Sequence, residues 1–103
     1  MPHPPPVTRR KFPAPPHQDA VARDWAARGY DCRPFPDPPG REWRDFVHET
    51  NELVTVVEGA LELTLEGASY RLEAGDELLI PRQVRHSVKN IHAGVTRWLF
   101  GYD

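Results

Sequence analysis

A chain of 103 residues has room for one domain built around one core, not for two. Its 39% hydrophobic content, with three Trp, three Tyr and four Phe, suits a packed globule, while twelve Pro and seven Gly demand many turns. Thirteen basic and fifteen acidic residues leave a formal charge of −2, so charge gives no reason to expect nucleic acid or an anionic membrane as partner.

Residues 1–16 carry seven prolines and no periodicity, which predicts an extended or disordered tail. Its basic run Arg9-Arg10-Lys11 is read as solvated, and His3 as a tail residue without a partner. Proline stands where a signal peptide needs an apolar stretch, and no run approaches the ~20 apolar residues of a membrane helix. The expectation is a cytoplasmic protein with no membrane partner. Residues 17–28 predict one short helix, with Ala20, Val21, Trp25 and Ala26 near helical spacing and Gly29 as the stop. Trp25 is expected to cover one end of the core. Residues 30–35 predict a first strand, and Pro34 marks it as an edge or a bulge. Cys32 stands alone, which excludes an intramolecular disulfide, and reads as a reduced strand or core residue. A dense turn, Pro36 to Gly40, follows.

From there the pattern is all β. Strands are expected at 42–48, 52–58, 60–66, 69–73, 77–80, 85–91 and 95–102, divided by turn signals such as Glu58-Gly59 and Ala74-Gly75-Asp76. Leu61, Leu63 and Leu65 alternate with Glu62, Thr64 and Glu66, giving one apolar and one wet face. Short strands at this spacing indicate an all-β sandwich or barrel.

Strand parity decides which groups can share an interior. Arg44, Phe46 and His48 share a side, as do Glu52, Val54 and Val56, and likewise His86, Val88 and Asn90. A His and a Glu facing into a small barrel must be paired, hydrogen-bonded or metal-bound, because unsatisfied buried polar groups cost about 1–3 kcal/mol each. Two imidazoles and a carboxylate in one cavity suit a divalent first-row metal. The candidate ligands are therefore His48, Glu52 and His86. Glu49, in the adjacent turn, is the alternative carboxylate, and Asp45 should face outward. Arg44 is a candidate for binding an anion at the barrel mouth, though a surface Arg is the simpler reading. Asn90 is read as a hydrogen-bonding strand residue. Trp98, Phe100 and Tyr102 alternate in the last strand and can line the pocket, a subunit contact or the core. The expected pocket lining is thus Arg44, Phe46, Val54, Val56, Val88, Asn90, Trp98 and Phe100.

At these residues the chain resembles the cupin superfamily, specifically its small single-domain bacterial members. The first motif of that family reads G-x5-H-x-H-x3,4-E-x6-G, and here His48, Glu52 and Gly59 match at the right intervals. The second reads G-x5-P-x-G-x2-H-x3-N, and here Gly75, Pro81, His86 and Asn90 match. The resemblance covers roughly residues 30–103. Three positions depart from it: Phe46 replaces the first His of motif one, the opening Gly falls loosely at Pro39 or Gly40, and Gln83 replaces the Gly of motif two. The resemblance implies a small cupin barrel, a double-stranded β-helix or jelly roll, with one N-terminal helix. It implies a homodimer, in which the first strand pairs with the partner's sheet. It also implies one divalent transition metal (Fe, Mn, Zn, Ni or Co) held by two His and one Glu, with positions open for a small-molecule ligand or substrate. Three function classes follow: a metal-dependent oxygenase, isomerase or lyase; a non-catalytic ligand-binding or sensory module; and a metal-free structural barrel, for which Phe46 is the argument.

Overall fold

The computed structural model describes residues 6–103. The elements in chain order are β1 (Val7–Thr8), α1 (Gln18–Ala27), β2 (Arg33–Asp37), β3 (Glu42–Phe46), β4 (Glu52–Glu58), β5 (Ala60–Leu65), β6 (Ala68–Glu73), β7 (Glu77–Ile80), β8 (His86–Asn90) and β9 (Thr96–Tyr102). Among the described residues nine strands form two antiparallel sheets, of order β1-β7-β4-β9-β2 and β3-β8-β5-β6. They face each other as a jelly-roll barrel.

The alternation of β4 and β5 builds the interior. Val54 and Val56 of the larger sheet meet Leu61, Leu63 and Leu65 of the smaller, with Leu72, Leu78, Ile80, Val88 and Trp98 completing the core. The opposite parity of β4 and β9 points outward, and α1 covers it. Val21 and Trp25, one helical turn apart, pack on Leu53 and Leu99 together with Phe12. Trp25 therefore covers the outer face of the five-stranded sheet and not one end of the core. Its indole N–H donates to Glu77 Oε2 at 2.9 Å, and Arg28 donates to both oxygens of the same carboxylate at 3.0 and 2.6 Å. The helix stops at Gly29, whose φ of 90° suits a residue without Cβ. Among the described residues no helix is long and apolar enough to cross a membrane.

The expected tail divides in two. Residues 1–5, His3 among them, lie outside the described residues. Residues 6–16 are not a free tail but a strap along the barrel. Val7 and Thr8 pair with Leu78 and Glu77 at the open edge of β7. Arg9 bridges to Asp76 at 3.0 Å, Arg10 N–H donates to the same carboxylate, and Phe12 N–H donates to Gly75 O. Phe12 is buried against the helix. The edge of β7 supplies the partners that proline-rich sequence lacks within itself. Gly75 is needed for this contact, since a Cβ there would stand 2.4 Å from Phe12 O.

The strand expected at 30–35 is β2 and lies at 33–37. Residues 30 and 31 are held instead by Tyr30 N–H to Trp25 O and Asp31 N–H to Tyr102 O. Pro34 and Pro36 both lie within this strand, which is an edge of its sheet. Proline is tolerated there because an edge residue can point its nitrogen away from the ladder. The expected turn accordingly shrinks to the residues after Asp37, closed by Arg41 N–H to Pro38 O.

Candidate metal centre

Both sheets and one loop contribute to the centre. Glu52 opens β4 of the larger sheet, His86 opens β8 of the smaller, and His48 lies in the loop that joins β3 to β4. One ligand atom from each lies within 4.8 Å of the others. His48 Nε2 is 3.4 Å from Glu52 Oε1, and His86 Nε2 is 3.7 Å from the same oxygen. His86 Nδ1 is 3.0 Å from Val84 O. A proton on Nδ1 satisfies that carbonyl and leaves the Nε2 lone pair aimed at the carboxylate.

Glu52 is only 4% exposed, and its Oε1 has no hydrogen-bond partner. Burial pushes this carboxyl up from the ordinary value near 4.5 to about 8. Burial likewise pulls His86 down; the Val84 carbonyl opposes this, and neighbouring His48 adds to it. A buried carboxyl oxygen facing two imidazole nitrogens is a cluster that a cation would satisfy, once the carboxyl proton has left. The three donor atoms lie within 4.8 Å of one another, near enough for one ion to be held by all three. The donor set fits a divalent transition metal.

His48 is set by the turn opposite. Gln83 N–H donates to His48 O at 2.8 Å, and Gln83 holds the left-handed region at φ 64°. This is the position where Gly is expected from the motif, so the backbone conformation survives without the residue that favours it. Gln83→Gly keeps the bond to His48 and removes the strain. It should stabilise the protein by about 0.5–1 kcal/mol, read as a raised Tm with metal uptake unchanged.

The three ligands face a cavity of about 200 Å³, also lined by Phe46, Val88, Trp98 and Phe100 as expected from parity. Phe35, Trp43 and Tyr102 complete the lining. Seven rings form a closed belt around it, in the order Phe46, Trp43, Phe35, Trp98, Phe100, Tyr102, His48 and back to Phe46. Successive centroids lie 6.1, 5.7, 5.7, 5.4, 5.8, 5.2 and 6.1 Å apart.

Four expected lining residues lie elsewhere. Arg44 is exposed and pairs with Glu42 at 2.8 Å. A β-bulge is the reason: Trp43 pairs with Val88 and Phe46 with His86, so β3 has one residue more than β8 between them. Asp45 absorbs it at φ 59°, its N–H on Ser87 Oγ. The bulge turns Arg44 outward and brings Trp43 to the face of Phe46. Val54 and Val56 have the expected parity but sit deeper, in the core. Asn90 is buried and spent on loops: its amide donates to Asp37 O, Pro38 O and Gly94 O, and its oxygen accepts from His92 N–H and Thr96 Oγ1. Glu49 is exposed and outside the ligand cluster.

Asp37 was not singled out by sequence reasoning, yet it fixes two walls. It is fully buried, and its two oxygens accept the indole N–H of Trp43 at 3.1 Å and of Trp98 at 2.8 Å. Arg41 lies 3.8 Å away and stacks over Trp43 at 4.1 Å. Only its place between Pro36 and Pro38, where backbone donors are scarce, hints at a role.

Residues 37–102 match the family model described as the cupin domain. Among curated proteins, the chain is 36% identical over 63 residues to the polyketide synthase CurC of Streptomyces cyaneus, covering 60% of this chain and 41% of that one. It is 40% identical over 50 residues to the HTH-type transcriptional regulator PuuR of Escherichia coli, covering 48% and 27%. The chain thus spans less than half the length of these curated relatives. Among solved structures, a cupin 2 domain-containing protein from Halorhodospira halophila superposes with a TM-score of 0.67 at 25% identity, covering 72% of this chain and 52% of that one.

Proposed function

The chain belongs to the cupin domain family, and from that premise we propose that it binds one divalent transition metal through His48 Nε2, Glu52 and His86 Nε2 and acts on a small molecule in the adjoining pocket. The observation that carries this reading is the buried, partnerless Glu52 Oε1 between two imidazoles. When bound, an ion such as Fe, Mn, Co, Ni or Zn supplies Lewis-acid polarisation of an oxygen donor, and iron adds reactivity toward dioxygen. The protein's own part is orientation and exclusion of water. The aromatic belt holds the body of the ligand, and Phe46 stands where a fourth protein ligand would otherwise leave fewer positions open. Among the described residues, Tyr102 is the one ionisable group in the lining apart from the three ligands. Burial and the nearby Glu52 raise its pKa above the usual 10, so its hydroxyl keeps its proton at neutral pH. The likeness to a protein named polyketide synthase supports small-molecule chemistry over a purely structural role.

Metal analysis by plasma mass spectrometry tests the centre. Wild type should carry close to one equivalent of one metal, and His48→Ala and His86→Ala should each lose it. Little metal in wild type after reconstitution with each candidate ion would sink the proposal.

A second reading, a ligand-binding sensory module, is favoured by the likeness to a transcriptional regulator. It expects a ligand-dependent rise in Tm without product. Both readings carry a cytoplasmic homodimer as their expected state, to be measured by light scattering on the purified protein.

A further inference from the structure

The two indoles of the pocket have no hydrogen-bond donor left to offer. Asp37 takes both N–H groups from behind, so Trp43 and Trp98 present carbon faces to the cavity. Six of the seven belt rings belong to Phe, Trp or Tyr, and the seventh is a metal-ligand imidazole. Among the described residues no Lys, Arg or Asp lines the cavity. Behind the wall lies the wholly buried Asp37 carboxylate, with the Arg41 guanidinium 3.8 Å from it and stacked on Trp43 at 4.1 Å. The two indoles therefore offer an anion no donor, and the rings reward flat π-surface through offset and edge-to-face contacts.

We propose that the pocket takes an uncharged, planar aromatic molecule carrying an oxygen donor, and that Asp37 is the positioning residue that sets this preference. The oxygen-donor end rests on the metal-centre reading; the aromatic body does not. By anchoring both indole edges, Asp37 fixes the ring faces and keeps donors away from a carboxylate-bearing competitor.

The test uses the full chain, labelled with nitrogen-15, stripped of metal and held at pH 6.5, where the Glu52 carboxyl in the lining keeps its proton. Trp43, Trp98 and Trp25 each give one indole N–H signal, and Trp25 lies in the separate helix cluster. Three probes are titrated: 2-naphthol, its saturated analogue decahydro-2-naphthol, and 2-naphthoate. The expected result is that 2-naphthol shifts the Trp43 and Trp98 signals, leaves Trp25 in place, and binds about tenfold or more tighter than either comparator. Comparable affinity for all three, or a preference for the saturated alcohol or the acid, overturns the ligand class. So does a titration in which the Trp43 and Trp98 signals stay still. Asp37→Asn keeps the shape but removes the charge and frees one indole N–H, so the naphthol-to-naphthoate ratio should fall by about threefold or more. A general loosening of the fold would weaken both ligands alike, and an unchanged ratio overturns the role of Asp37. Trp43→Leu leaves the Trp98 bond intact and serves if the Asn variant does not fold: it should cost 2-naphthol more affinity than the saturated alcohol, and an equal loss overturns the stacking wall. With no metal present, failure of the centre leaves these preferences as stated, whereas equal affinities refute the ligand class with metal uptake untouched.

Discussion

Replacing Glu52 by Gln should abolish stable metal uptake and, in the metal-free protein, raise stability at alkaline pH. In the native barrel the Glu52 carboxyl holds its proton up to about pH 8, against about 4.5 in the ordinary state. The folded protein therefore binds more protons than the unfolded chain between those values, and its stability falls as pH rises through that window. Below about pH 4.5 both states are protonated and this contribution vanishes. Above about pH 8 the full cost of a buried bare carboxylate is present, of the order of a few kcal/mol. Gln has the same shape and no charge, so the variant should lose this slope. Urea titrations of metal-free wild type and Glu52→Gln at pH 5 and pH 9 measure it: the midpoints should be similar at pH 5 and higher for the variant at pH 9. Metal reverses the order, because the ion supplies the missing positive charge. Wild-type uptake should tighten with rising pH until the proton has left Glu52. A variant that loses stability at pH 9 would refute the account of a frustrated carboxylate.

Asp37→Ala should be the most damaging single substitution of a polar side chain in the barrel. It leaves two indole N–H groups without acceptors at 3.1 and 2.8 Å from where oxygens stood, and takes the buried counter-charge from Arg41. At about 1–3 kcal/mol for each buried orphan, with the loss of a buried charge partner added, the cost is about 3–5 kcal/mol. For a domain of this size that lowers Tm by more than about 10 °C. The control is Arg44→Ala, which breaks an exposed pair with Glu42 and should change stability by no more than about 0.5 kcal/mol. Equal effects of the two substitutions would show that Asp37 is not the anchor of the aromatic wall.

The barrel was legible in the sequence where period two is clean, as in Leu61, Leu63 and Leu65. His48, Glu52 and His86 were legible because the spacing of two motifs converges on them. Three features were not, and each for a physical reason. A bulge changes parity without changing composition, so Arg44 and Trp43 traded faces at Asp45. A two-residue strand has no pattern of its own, so β1 exists only through the edge of β7. Asp37 acts across distances of 6 and 61 residues, on Trp43 and Trp98, and local reading sees neither partner.

The two prolines of β2 decide more than their own strand. An antiparallel strand alternates the side to which it offers its N–H groups. If Arg33, Phe35 and Asp37 spend theirs on β9, positions 34 and 36 are the ones left facing outward, and neither has a hydrogen to give. A neighbouring chain laid along that rim would find carbonyls but nothing to answer its own. At the far rim the strap through Val7 and Thr8 already occupies β7. The larger sheet is thus closed to propagation on one side by chemistry and on the other by occupancy. A second molecule could not continue the larger sheet at the proline rim, and the same closure guards that sheet against templated growth there.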